Sequence, residues 1–209
     1  MVATSEIDRQ ILDAAVRVFS AHPWPKVALA EIARDAGVSI AEVYRHYRSR
    51  LAVLAALHHR VDLEMLAAPV DGGPIKDRLF DLLMRRFDAL APLKPAFRLG
   101  IAELRKGRLG TLEPALVGAM SLRCSMACVL DAVGLTGACL LTEMRIKVLG
   151  TAYLAAFRVW LDDDSVDLAR TMASLDKALK RALPLLCGGG ATPETPSSDL
   201  AATAGEAAA

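Results

Sequence analysis

Apolar residues return every three or four positions along most of this chain. Ile7, Ile11, Ala14, Val18 and Phe19 share one side of a helical wheel, with Arg9, Asp13 and Arg17 opposite, and Pro23 and Pro25 stop the run. Leu29, Ile32, Ala33 and Ala36 form the inner face of a second helix, which Gly37 ends because glycine tolerates positive φ. A third helix opens at Ser39, and Glu42 three residues later completes a capping box. In it Val43 and Tyr47 face inward, leaving Tyr44, Arg45, His46 and Arg48 outward. A fourth helix, about Arg50 to Leu66, carries Leu51, Leu54, His58, Val61 and Met65 as its packing stripe.

Pro69, Gly72, Gly73 and Pro74 mark a linker over 67–74. Five further helices are expected at about Ile75 to Leu90, Pro95 to Lys106, Thr111 to Val133, Ala138 to Leu161 and Ser165 to Leu186. No long run alternates with period two, so the chain reads as all-α, with about nine helices. The division is a helix-turn-helix domain with its linking helix (1–66), the linker, a helical ligand-binding and dimerisation domain (75–186), and a tail (187–209) expected to be disordered for want of an apolar face.

Composition changes this picture little. The 209 residues are 54% apolar, enough for a core, and 25 Lys+Arg stand against 24 Asp+Glu, so any affinity for nucleic acid must come from a local patch. Cys124, Cys128, Cys139 and Cys187 lack Cys-x-x-Cys spacing and read as reduced, packed thiols. Met1 to Gln10 is polar and acidic, unlike a signal peptide, and Arg123 and Asp131 interrupt the apolar stretch around 115–135; the expected location is cytoplasmic, with no stable membrane anchor. The four histidines, at 22, 46, 58 and 59, show no metal-ligand spacing, and there is no phosphate loop or nucleophile elbow, so no metal, cofactor or catalytic residue is expected. His58 reads as a packed histidine and His59 as an exposed one.

The runs Ile11-Leu-Asp-Ala-Ala-Val-Arg-Val-Phe19, Glu31-Ile-Ala33, Ala36-Gly-Val-Ser39, Val43-Tyr-Arg-His-Tyr47 and Ser49-Arg-Leu51 resemble, in order and spacing, the TetR family of transcriptional regulators. The resemblance implies a homodimer on a double-stranded DNA operator and a C-terminal domain that holds a small hydrophobic ligand. It implies a phosphate contact for Tyr44, a packed role for Tyr47, and a meeting of Arg50 with the DNA backbone. Ser39, Ile40, Ala41, Arg45, His46 and Arg48 complete the expected DNA-binding set, the cations suiting phosphates or base edges. The chain departs from the family's pattern at Ile40, Ala41, Glu42 and Val27. Ile40 can touch a thymine methyl but bonds no base, and Glu42 brings negative charge toward DNA unless its cap turns it back; both count against tight binding.

A second resemblance covers the C-terminal half. Lys76-Asp-Arg-Leu-Phe80, Arg85-Arg-Phe87, Leu90-Ala-Pro92, Met144-Arg-Ile146 and Val159-Trp-Leu-Asp-Asp163 are similar to the lipid-binding accessory proteins of ubiquinone biosynthesis, which share the TetR architecture with a degenerate DNA-binding domain. The alternative function it implies is isoprenoid or lipid binding in quinone or lipid metabolism. That family docks on membranes by a C-terminal amphipathic helix, whereas this tail has no Lys or Arg after Arg181.

Two arginines stand in apolar surroundings: Arg123 in the stripe Leu116, Met120, Ala127 and Leu130, and Arg145 among Leu141, Val148 and Ala152. One reading has Arg123 or Arg145 hold a polar head while Met84, Phe87, Met120, Cys124 and Met144 line the ligand pocket. The other, preferred for each arginine taken singly, is an ion pair with Glu143 or Asp131, or a stem that snorkels to water. On the last helix Leu168, Met172, Leu175, Leu179 and Leu186, with Tyr153, Phe157 and Trp160, are expected to form a four-helix dimer interface. The main expectation is a DNA-binding regulator, a repressor, released by a hydrophobic ligand.

Overall fold

The structure, a computed structural model, describes residues 6–70, 72–107 and 112–188. Thr111, Asp71 of the linker and the tail from residue 189 lie outside the described residues. Among those described there are nine α-helices and no strand.

Helix α1 (Glu6–Ala21) buries Ile11, Leu12, Ala14, Ala15, Val18 and Phe19, the face its periodicity predicts. A 3-10 turn at Trp24–Lys26 leads to α2 (Leu29–Ala36), where the Glu31 carboxylate accepts the free N–H of Ala28 at 3.3 Å. Gly37 takes φ +69°, and α3 (Ile40–His46) starts three residues on. Only half of the expected capping box forms. Ser39 Oγ accepts the Glu42 N–H at 3.1 Å, but the Glu42 carboxylate turns along the helix to Arg45, with His46 3.5 Å away, because a guanidinium one turn away outcompetes a backbone N–H.

Ser49 Oγ accepts the Ala52 N–H at 3.1 Å and opens α4 (Arg50–Leu66). Its buried residues are Val53, Leu57, His58, Val61 and Met65, with Leu51 and Leu54 half-buried, so the inner face is rotated from the predicted stripe. The reason is tertiary: α4 packs against α1 on one side and α5 and α7 on the other. Arg60, donating to Asp13 at 2.6 Å, ties α4 to α1.

The remaining helices are α5 (Ile75–Leu90), α6 (Lys94–Arg105), α7 (Leu112–Ala132), α8 (Cys139–Leu161) and α9 (Ala169–Cys187). Their core is aromatic: Phe87 stacks on Tyr153 at 4.8 Å, Phe97 meets Phe157 edge-on at 5.2 Å, and Trp160 lies against Phe87 and Phe157. Helix α9 begins at Ala169, later than predicted, because Asp163 organises the turn before it. The buried Asp163 carboxylate accepts from the Ser165 hydroxyl at 2.5 Å and from the Thr171 hydroxyl and N–H at 2.7 and 2.9 Å, while Leu168 takes φ +49°. Hydrogen bonds from Ser165 and Thr171 hold Asp163 well below the ordinary carboxylate range. From α6, Lys94 donates to the Asp163 carbonyl (2.5 Å) and Arg98 to the Leu161 carbonyl (2.7 Å) and Asp164 (2.7 Å).

Two expectations are corrected here. Leu175, Leu179, Leu186, Tyr153 and Trp160 are buried within the single chain, Leu168 and Phe157 are half-buried against its core, and Met172 is half-buried. Tyr153 and Trp160 pack on Phe87 of α5 and the α9 leucines lie in the same core, which leaves a different surface for any partner copy. In α7 only the C-terminal half is buried, through Ser125, Met126, Val129 and Leu130, while Leu116 and Met120 are exposed. This helix is also long and apolar enough by composition to cross a membrane, despite Arg123 and Asp131.

Candidate DNA-binding helix and apolar cavity

Val43, fully buried, fixes the rotation of α3 and points its opposite side to solvent. Ser39, Ile40, Ala41, Tyr44, Arg45, His46 and Arg48 are all exposed there. Their charges are differently engaged. Arg45 pairs with Glu42, and His46 lies between Asp8 of α1 (2.6 Å) and Glu42 (3.5 Å), whereas Arg48 makes no ion pair among the described residues. Tyr47 is half-buried, and burial together with Asp8 beside it pushes its phenol up to about 12.

Arg50 departs from its expected role. Its guanidinium turns inward, donating to the carbonyls of Trp24 (3.0 Å) and Val27 (3.2 Å) and stacking over the Trp24 ring at 4.7 Å. Glu113 at the start of α7 lies 3.6 Å away. One carbonyl at the start of the 3-10 turn, one just after it and an aromatic face hold the guanidinium, so Arg50 is a clamp between α4 and the segment entering α2.

Behind this clamp lies an apolar cavity of about 370 Å³. Phe19, Trp24 and Val27 close it from the N-terminal helices, Leu54 and His58 from α4, and residues of α5 to α8 complete it. Its polar groups are few. His58 is 5% exposed, its Nδ1 has no hydrogen-bond partner, and burial, then the Arg86 charge, lowers its pKa to about 4. Arg86, also buried, donates to Tyr153 Oη (2.7 Å) and Ser125 Oγ (3.1 Å), and its Nε is 3.4 Å from Asp62. Among the described residues no cluster of three or more His, Cys, Asp or Glu is placed to hold a metal ion.

Residues 11–57, which span α1 through the first half of α4, match the family model of bacterial regulatory proteins, tetR family. Over this segment the chain is similar to the TetR family. A 63-residue segment, 28% of the chain, is 41% identical to TtgW of Pseudomonas putida, described as an uncharacterised HTH-type transcriptional regulator. That match takes in 47% of the relative, so the chain spans about half the length of the curated relative it matches.

The TetR fold extends through the C-terminal helices. A TetR transcriptional regulator from Nitrosomonas europaea superposes with a TM-score of 0.65 at 24% identity, covering 84% of this chain and 96% of that one. FadR from Bacillus halodurans, titled a fatty acid degradation regulator, gives 0.55 at 22% identity over 88% of this chain and 99% of its own. A TetR-family regulator from Streptomyces coelicolor gives 0.57 at 20% identity, over 90% and 84%.

Within this TetR architecture the expected ligand residues do not converge on the cavity. Phe87 is buried in the aromatic stack and Met84 is half-buried against the core; neither lines the cavity. Met120, Cys124 and Met144 are exposed on the outer surface. Arg123 pairs with Glu143 in solvent, as the ion-pair reading has it. Arg145 is buried but donates to the carbonyls of Leu135 (3.1 Å) and Leu186 (2.8 Å), joining the α7–α8 turn to the end of α9. Sequence reasoning missed Arg86 because it weighed the arginines of α7 and α8 alone. The available signal was Arg86 beside Leu82, Leu83 and Phe87 on the apolar side of α5.

Proposed function

We propose that the protein is a dimeric, DNA-binding transcriptional regulator, a repressor, that releases its operator when a small hydrophobic ligand enters the cavity. The observation that carries this reading is the TetR-family match over residues 11–57, in which α3 presents Tyr44 and Arg45, and the turn after it Arg48, to solvent. Arginine at an exposed helix face supplies phosphate and base-edge contacts, and Tyr44 adds a hydroxyl donor. Double-stranded DNA is the partner and the cytoplasm the location consistent with such an activity.

The link from ligand to DNA runs through the cavity wall. Trp24 and Val27 stand immediately before α2, and Arg50 at the head of α4 is held on them. A ligand against Trp24 therefore bears on both helices that flank α3. Release requires the ligand to favour the arrangement that fits DNA poorly, and a tenfold loss of affinity takes about 1.4 kcal/mol of differential binding.

The dimer is assigned to the outer side of α8 and α9. Leu140, Met144 and Leu185 are exposed at one end of this pair, where Arg145 also joins the two helices. A two-fold contact there buries apolar surface that a single chain leaves in water.

The test is to incubate the purified protein with fragmented DNA of its source organism and sequence what it retains at low and moderate salt. The expected result is a few palindromic sites that survive moderate salt and are lost in Arg48→Glu and Arg45→Glu. Uniform background at both salts overturns the reading.

A further inference from the structure

The cavity's polar groups differ sharply in what they still have to offer. Arg86 already has its charge answered: its two terminal nitrogens donate to Tyr153 and Ser125, and its Nε, which makes no hydrogen bond, lies 3.4 Å from Asp62, which also accepts from Ser125 Oγ at 2.7 Å. A carboxylate brought to Arg86 would meet Asp62 as a second negative charge in apolar surroundings, where like charges repel strongly. His58 is the opposite case. It is almost fully buried, its Nδ1 has no partner, its ring centroid lies 6.3 Å from that of Phe97, and Gly118, whose missing Cβ would stand 4.0 Å from its Nε2, puts no side chain against that edge.

A neutral imidazole holds one N–H donor and one acceptor, and an unpaired buried polar atom favours any ligand that pairs it. Because an apolar cavity near 150 Å³ holds the six carbons of benzene, 370 Å³ accommodates roughly fifteen non-hydrogen atoms.

Resting on the cavity as the ligand site, we propose that its ligands are uncharged, largely apolar molecules of that size with one hydrogen-bonding group that meets His58, and that carboxylates are rejected. A phenol, alcohol or ketone on a ring system or short chain has this chemistry. The position of His58 gives the contact a consequence. It lies on α4 two turns from Arg50, so the ligand's polar end is attached to the helix that follows α3.

Calorimetric titration of the full chain with 2-naphthol and 2-naphthoate, the same ring with a neutral and an anionic group, tests the proposal. The expected result is about one 2-naphthol per chain, with 2-naphthoate at least about tenfold weaker. His58→Phe is expected to lower 2-naphthol affinity about tenfold and His58→Gln to keep most of it, while Leu54→Trp, which fills the cavity, abolishes binding. Equal binding of the two probes, or undiminished 2-naphthol binding in His58→Phe, overturns the proposal and leaves the cavity as a ligand site. Failure of both probes to bind the unaltered protein overturns the ligand site as well, without touching the DNA-binding reading. Should His58→Phe not fold by circular dichroism, the ratio of the two probes on the unaltered protein decides.

Discussion

At the scale of residues, Glu42 and His58 show how local chemistry and burial divide the work. Glu42 sits on the exposed helix, pairs with Arg45, and so withholds that cation from a polyanion. Glu42→Gln keeps the Ser39 cap, which uses the Glu42 backbone, and frees Arg45. Operator affinity measured by fluorescence anisotropy is expected to rise roughly twofold to fivefold, the size of a surface ion pair; unchanged affinity at low salt would show that Glu42 does not restrain binding. His58 titrates near 4 when folded, against 6.5 as the ordinary value, because burial, and secondarily Arg86, oppose its charge. The unfolded chain therefore takes up the proton first. Stability is full above pH 6.5 and falls as pH drops toward 4, by up to about 3 kcal/mol. Urea unfolding between those values should show this slope and lose much of it in His58→Gln; parallel slopes in the two proteins would contradict the burial of a neutral imidazole. The cap at Ser39 and the exposure of Tyr44, Arg45 and Arg48 were legible from spacing. The partners of Arg50 were not, since Trp24 and Val27 lie 26 and 23 residues away.

At the scale of elements, the helices follow their periodicity and their ends follow their caps. Gly37 and Ser39 place the α2–α3 turn where local rules put it. The start of α9 does not obey such rules, because Asp163 draws Ser165 and Thr171 into one turn that α6 braces through Lys94 and Arg98. Asp163→Ala leaves the buried Thr171 hydroxyl and N–H without their acceptor. A loss of about 2 kcal/mol is expected, or roughly 4–8 °C in Tm by calorimetry; a Tm within a degree of the unaltered protein would remove Asp163 as the organiser of this turn. Helix α7 illustrates the limit of periodicity. Apolar residues ring most of its surface, so the pattern alone does not say which side is covered, and the structure leaves Leu116 and Met120 in solvent.

At the scale of the whole molecule, the consequence of burying Leu175, Leu179, Tyr153 and Trp160 inside one chain is that self-association must use what remains outside. Met144→Asp, placed among Leu140 and Leu185, is expected to convert a dimer to monomer in analytical ultracentrifugation and to weaken operator binding, since each half then binds alone. A dimer that survives the substitution would move the interface elsewhere. The sequence by itself determined the all-α class, the order of nine helices, the TetR-like motif and the outward face of α3, because each depends on contacts within a few residues. Only the tertiary structure decided that the cavity is walled partly by Trp24 and Val27, that Arg86 rather than Arg123 or Arg145 is its buried cation, and that Arg50 is a clamp. Those features join positions distant in the chain, as Arg86 meets Tyr153 and as Trp24 shares the cavity wall with Phe157, and helical periodicity records which side of each helix is apolar without recording which other helix will cover it.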